Sequence, residues 1–354
     1  MISEQTLAQA VDRGIITAGQ AMQLRALASG SEAAAPNPDD EQLRFITGFA
    51  DIFVTIGVGL FLGGIVYLMI QQPPWQQASI VAVASWLIAE LFTRRMRMAL
   101  PSIVLLLTFT ASIGTAVLMY IAGDLKTLGD YLQSLFLGDG THVTALLASS
   151  LSSLAAAALH YYRFRVPITV AAGGAALTAT ILSLLAFATP GLVYSLQRPI
   201  VFGCGVLFFL LAMWFDRRDL RRQTRLSDIA FWLHMLAAPL LVHSLAGYFA
   251  RSVMLTLNAA LLVLAIVGVL GLIAILIDRR ALLVSGLAYL AIAFSSVVRE
   301  TAATTTILPL TILALGAFML LISALWKPLR RSVLSLAPAM VAGWVPPARA
   351  NSSG

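Results

Sequence analysis

The chain has 354 residues, of which 59% are hydrophobic and only 11% charged, with a mean hydropathy of +0.89. That charged share is less than half the roughly one quarter usual in soluble domains, and a core limited by domain size cannot hide so much apolar surface, so a water-soluble globule is excluded. The net charge of +7 does not point to nucleic acid, because the arginines lie in short clusters between apolar runs rather than along one polar face.

Residues 1–30 read as a small helical hairpin on the cytoplasmic side. Ser3 caps a first helix carrying Leu7, Ala10 and Val11 at helical spacing, and Gly14 suits its stop. Thr17-Ala18-Gly19-Gln20 has the spacing of a capping box for a second helix through Met22, Leu24 and Leu27, ended by Gly30. A unit this short does not hold a core alone, so it is expected to lean on the membrane domain, or on its own copy or a protein partner through residues 1–30. Residues 31–44 form a linker that opens with SEAAAPNPDDEQ. No secretory signal is expected, since the first long apolar run begins only near Ile52 and the acids before it leave no basic start.

Residues 45–327 form the membrane domain. Ten apolar runs read as helical spans: Ile52–Ile70, Gln76–Phe92, Leu100–Ala122, Val143–Tyr162, Val166–Ala188, Pro199–Phe215, Leu226–Phe249, Val253–Ile277, Ala281–Val298 and Thr305–Trp326. Each is near the length of about 20 residues that crosses the hydrocarbon, and the runs are continuously apolar rather than alternating, which argues against strands. The expected fold class is therefore an all-α polytopic bundle of about ten spans arranged as hairpins.

The connections orient it. Arg94, Arg95 and Arg97; Arg163 and Arg165; Arg217, Arg218, Arg221, Arg222 and Arg225; Arg279 and Arg280; and Lys327, Arg330 and Arg331 all fall on one side, against Lys126, Arg198, Arg251 and Arg299 on the other. The side with the excess is the cytoplasm. This predicts a multi-pass inner-membrane protein with both termini cytoplasmic. WFDRRDL (214–220) and LIDRRAL (276–282) close two hairpins alike, which hints at helix-pair duplication, although an acid followed by arginine at a cytoplasmic helix end is also what the helix dipole and the surface potential favour.

Small residues four apart mark helix-packing faces: Thr55, Gly59 and Gly63; Thr108, Ser112 and Ala116; Ala148, Ser152 and Ala156; and Ala172, Ala176 and Thr180, beside Gly173 and Gly174. On the outer side Leu128, Tyr131, Leu132, Leu135 and Phe136 make an amphipathic stripe, read as a short helix in the interface or over the bundle. Residues 328–354 read as a cytoplasmic interfacial tail, with Leu329, Val333, Leu336 and Met340 in a stripe that Pro338 interrupts and Trp344 anchors.

Ionisable groups within spans are the natural suspects for function, because burying charge in hydrocarbon is costly. Glu90 sits four residues before Arg94, an order that suits a helical ion pair. Asp51 and Asp228 sit at span starts, where the helix N-terminus favours an acid. His234 and His243 share a span but point to opposite faces, so they do not form a metal site together. The structural reading gives each histidine a hydrogen bond to a neighbouring helix; the functional reading is a proton relay through Asp228, His234 and Glu90, with Asn258 and Tyr67 lining a cavity. A lipid-facing imidazole at position 234 would lack a partner, so His234 is expected to face the interior. Cys204 reads as a small core residue. No metal-ligand cluster, phosphate-binding Gly-rich loop or nucleophile motif is present, so no catalytic residue, metal or cofactor is expected.

The segment VDRGIITAGQAMQLRAL (11–27), the short linker after it and the Gly-rich IGVGLFLGGIVYLM (56–69) together resemble an uncharacterised family of bacterial polytopic inner-membrane proteins, filed as a domain of unknown function. LWKPLRRSVLSLAP (325–338) resembles the end of such proteins, whereas the first turn, QQPPWQQ (71–77), lacks the NW pair that members often carry. The resemblance implies the layout but no activity and no site residue. The favoured function is a partner-dependent membrane bundle or envelope-associated component. The alternative is a secondary transporter or lipid translocator with a polar site near His234, and an intramembrane enzyme comes last.

Overall fold

Residues 4–17, 19–22, 24, 49–123, 142–219, 224–246, 257–299 and 304–336 are described by the computed structural model. The linker, the outer amphipathic stripe at Leu128–Phe136, and the tail beyond residue 336 with Pro338, Met340 and Trp344 lie outside them. Contacts divide the chain into two units, Met1–Gln42 and Leu43–Gly354.

In the first unit α1 spans Glu4–Asp12. Gly14 stops it at φ +67°, a backbone conformation costly for any residue with a Cβ, and the Ile15 amide closes the turn onto the Ala10 carbonyl at 2.9 Å. The expected capping box forms. The Gln20 amide donates to Thr17 Oγ1 at 3.2 Å, and the Thr17 amide donates to Gln20 Oε1 at 2.9 Å.

The second unit is all-α among the described residues. Its helices are α2 (Phe49–Leu68), α3 (Pro74–Ala89, continued by a π-helical turn, Glu90–Arg95), α4 (Ala99–Ala122), α5 (Val143–Phe164), α6 (Ile168–Ala188), α7 (Val193–Arg218), α8 (Arg225–Ala246), α9 (Leu257–Ile277), α10 (Ala281–Arg299) and α11 (Thr304–Leu336). Each lies on one of the ten apolar runs. Eight of them, all but α3 and α10, are long and apolar enough to cross a membrane.

Two boundaries differ from the sequence reading, both at proline. Helix α7 begins before Pro199, and α11 continues through Pro328 to Leu336. The expected boundary at 327/328 therefore falls inside a continuous helix. Proline removes one backbone hydrogen bond, a loss that neighbouring helices can accommodate when they hold the backbone in place. Here Leu329, Val333 and Leu334 pack on a core of Ala238, Ala274, Ile275, Ile277, Leu282 and Trp326, while Leu336 is exposed.

Neighbours in sequence pack extensively as α3 with α4, α5 with α6, α7 with α8 and α9 with α10, the pairs whose connections carry the arginine clusters, and also as α4 with α5, whose connection carries none. Helix α8 is the hub, touching α6, α7, α9 and α10. It buries Ile229, Leu233 and Ala237 against Cys204, Phe208 and Ala212 of α7, and Val242 against Ala260, Val263 and Val267 of α9 and Ala293 of α10. The outward faces stay apolar: Phe53, Ile56 and Leu60 on α2 and Ile312, Leu313 and Leu320 on α11 are exposed. Surfaces of that kind are stable in lipid rather than in water.

Small residues act at some of the expected places. Gly174 is enclosed by Phe208 and Leu236, and Gly173 lies against Ala157. Between α4 and α5 the close approach is at Gly114, where Ser149 Oγ donates to the Gly114 carbonyl at 2.9 Å. Half-buried Ser112, two residues before Gly114, stands on the nearly opposite side of α4. Gly59 and Gly63 differ from expectation: both are exposed, with nothing within 4 Å of where a Cβ would stand. The reason is that α2 turns Val58 and Leu62 inward, against Val81, Ala89 and Leu105.

Candidate functional site

Ion pairs form beside the arginine-bearing connections. Three clusters form there, each joining an acid from one helix end to an arginine two helices further along the chain.

The deepest is built on Asp216, near the end of α7. Arg279, just past α9, grips it with two nitrogens: Nη2 on Oδ1, and Nε donating to Oδ2 at 3.2 Å. His234 of α8 donates from Nε2 to the same Oδ2 at 3.1 Å, the role an acceptor-only carboxylate imposes on it. Arg279 Nη2 also donates to Ser227 Oγ at 3.2 Å. Asp216, His234 and Arg279 are all buried, with His234 at 0% exposure. His234 thus faces the interior, its ring edge-on to Phe209.

The second cluster is built on Asp278. Trp326 Nε1 donates to Asp278 Oδ1 at 2.8 Å, and Arg330 Nε stands 3.8 Å from the same oxygen. Asp278 has φ +58°, a left-handed conformation for which Asp and Asn are the usual non-glycine occupants. Arg280 lies over the Trp326 ring at 5.0 Å.

The third cluster is more open. Glu90 accepts from Arg163 twice, at 2.7 and 2.9 Å, and from Arg94 at 3.3 Å. Arg94 and Arg163 in turn line a cavity of about 490 Å³, together with Arg97, Arg165, Arg225, Asp228, Thr93, Ser102 and Trp232. Next to it is a cavity of about 480 Å³ bounded by Tyr161, Tyr162, Leu226 and Ile229, which shares Arg165, Pro167 and Arg225.

No protein-family model, curated protein or solved structure matches the chain.

The sequence-derived relay residues have separate surroundings. Glu90 is engaged with Arg94 and Arg163, Asp228 is half-buried on the cavity wall, and His234 is held by Asp216. Asn258 is exposed at the start of α9, as is Tyr67 on α2. His243 accepts from or donates to Tyr289 Oη at 2.6 Å, linking α8 to α10. No group of three or more metal-ligating side chains occurs among the described residues.

Sequence reasoning did not single out Asp216, Asp278, Arg279, Trp326 or Arg330 as site residues. For Asp216, Asp278 and Arg279 the signal was present in the repeated Asp-Arg-Arg of 216–218 and 278–280, which reads as a hint of duplication or as what the helix dipole and the surface potential favour; Arg330 stood among the orienting charges and Trp326 at a span end. His160 gave no signal at all. It is fully buried on α5, ringed by Trp86, Phe109 and Phe164, and its two nitrogens have no hydrogen-bond partner among the described residues. An unsatisfied buried polar group costs about 1–3 kcal/mol. His160→Leu, close in volume, is therefore expected to raise the thermal midpoint of the detergent-solubilised protein; a lower midpoint would mean that the imidazole is bonded.

Proposed function

We propose that this chain is a ten-span protein of the bacterial inner membrane. Its arginine-rich end and both termini lie in the cytoplasm, and it acts as a partner-dependent bundle or envelope-associated component rather than as a transporter working through His234. The observation that carries this reading is the closed Asp216–His234–Arg279 cluster. A proton relay or substrate site needs water or ligand to reach its titratable group, whereas His234 is at 0% exposure and committed to a buried carboxylate.

Three further features support the placement. The arginine clusters converge at one end, as the excess of basic residues on the cytoplasmic side requires. Helices α3 and α10 complete the series of ten apolar runs, with the π-helical turn lengthening α3. Residues Met1–Gln42 form a unit of their own, which suits a recruitment module. The resemblance to the uncharacterised bacterial membrane family belongs to the same reading.

Labelling with a water-soluble maleimide tests it, using single cysteines in a Cys204→Ser background. A cysteine at 228, on the open cavity, is expected to react from the cytoplasmic side. A cysteine at 234 is expected to stay protected from both sides, and reaction there would overturn the static bundle in favour of transport. Reporter fusions after residue 44 and at the C-terminus are expected to report the same compartment; opposite compartments would refute the span count.

A further inference from the structure

We infer that the arginine-lined cavity at the ends of α3, α5 and α8 binds the phosphate of an anionic phospholipid, whose acyl chain lies along the adjoining groove of Tyr161, Tyr162, Leu226 and Ile229. The inference rests on the membrane-spanning reading, whose failure shows separately as a chain that stays in solution without detergent.

Charge comes first. Arg94, Arg97, Arg163, Arg165 and Arg225 come from three separate connections and converge on one cavity of about 490 Å³, against which, among the described residues, stand Asp228 on the wall and Glu90 paired to Arg94 and Arg163. Five cations and two carboxylates leave an excess of three positive charges. Among the described residues Arg97, Arg165 and Arg225 have no ion-pair partner. A basic cluster that served orientation alone would not need to converge, since charges spread over separate loops orient a bundle equally well.

Backbone geometry is the second observation. Arg97 and Arg165 are non-glycine residues at φ +54° and +53°, a conformation costly for long side chains. Arg94 sits in a π-helical turn, a rare geometry that recurs at functional sites. Three unusual backbone positions thus carry three of the five arginines. Thirdly, Thr93 lines the cavity at 8% exposure, and its hydroxyl has no hydrogen-bond partner among the described residues. A phosphate oxygen would accept that donor as well as the guanidinium forks, which suit phosphate in bidentate geometry.

The neighbouring cavity selects lipid over free phosphate. It shares Arg165 and Arg225 with the charged cavity but is walled by aromatic and aliphatic side chains. A charged chamber that shares a wall with an apolar one fits a molecule with a phosphate head and a hydrocarbon tail, and basic recesses at cytoplasmic helix ends favour anionic head groups.

The test uses the full-length protein in nanodiscs of phosphatidylcholine with phosphatidylglycerol added, reading retained lipid by native mass spectrometry. Arg97→Gln/Arg165→Gln/Arg225→Gln is compared with Arg95→Gln/Arg218→Gln/Arg331→Gln, which removes the same charge from residues that do not line the cavity. Phosphatidylglycerol retention is expected to fall about fivefold for each cavity arginine removed, the factor corresponding to roughly 1 kcal/mol per cation near an anionic surface, and to stay near the parent level in the comparison variant. Lysine at the three cavity positions keeps the charge but loses the fork, and is expected to restore retention only in part. If the triple variant does not purify as a single species, Arg97→Gln and Arg225→Gln taken singly carry the same comparison. Equal losses in both triple variants would overturn the site, as would equal retention of phosphatidylcholine. Binding of inorganic phosphate that displaces no phosphatidylglycerol would overturn the lipid assignment.

Discussion

Asp216→Ala is expected to destabilise the bundle by about 3–5 kcal/mol, the usual cost of stripping one partner from a buried ion pair. Arg279 would remain at 2% exposure with its carboxylate gone, and the Nε2–H of His234 would lose its acceptor as well. The measurement is the thermal midpoint in detergent, with the parent chain and Arg279→Met alongside. Removing both charges in Asp216→Leu/Arg279→Met is expected to recover most of the loss, because the penalty comes from the orphaned ion rather than from the absent pair. If Asp216→Ala melted with the parent, water would have to reach Arg279, and the closed cluster that argues against transport would be open.

Asp278→Ala is the second large loss, and it separates three roles of one side chain. Asp278 occupies a left-handed backbone position, accepts from Trp326 Nε1 and faces buried Arg330. Alanine fails in all three. The backbone alone costs roughly 1–2 kcal/mol, and the buried charge and the unsatisfied indole add about 3 kcal/mol or more. Asp278→Asn keeps the conformation and an acceptor for the indole, so it is expected to lose less than half as much in thermal unfolding. Equal losses for the two variants would assign the whole effect to the charge on Arg330.

The helices were legible in the sequence because apolar runs of span length have few alternatives, and every expected run carries a helix. The capping box at Thr17 and Gln20 and the stop at Gly14 were readable because their geometry is local. Proline misled at positions 199 and 328, where a rule derived from isolated helices met neighbours that hold the chain in place. The small-residue stripe at Gly59 and Gly63 has the spacing of a packing face, yet which side of α2 faces inward is settled by partners far away in sequence. The site residues were hardest for the same reason. His234 stood out as an ionisable group in an apolar run, but its partner Arg279 lies 45 residues away and was counted among the orienting charges. Nothing in the composition of α5 marks His160, whose oddity is an absence of partners.

The stride of two helices in the acid–arginine pairs bears on the order in which the chain is made. Synthesis delivers each acid before its arginine: Glu90 before Arg163, Asp216 before Arg279, and Asp278 before Arg330. Each clamp therefore stays unlatched until two more helices have entered the bilayer, and closing it secures the segment that came before. The last latch belongs to α11. A chain that stopped short of Arg330 would have its two earlier ion pairs closed, with Asp278 held by Trp326 but without its arginine.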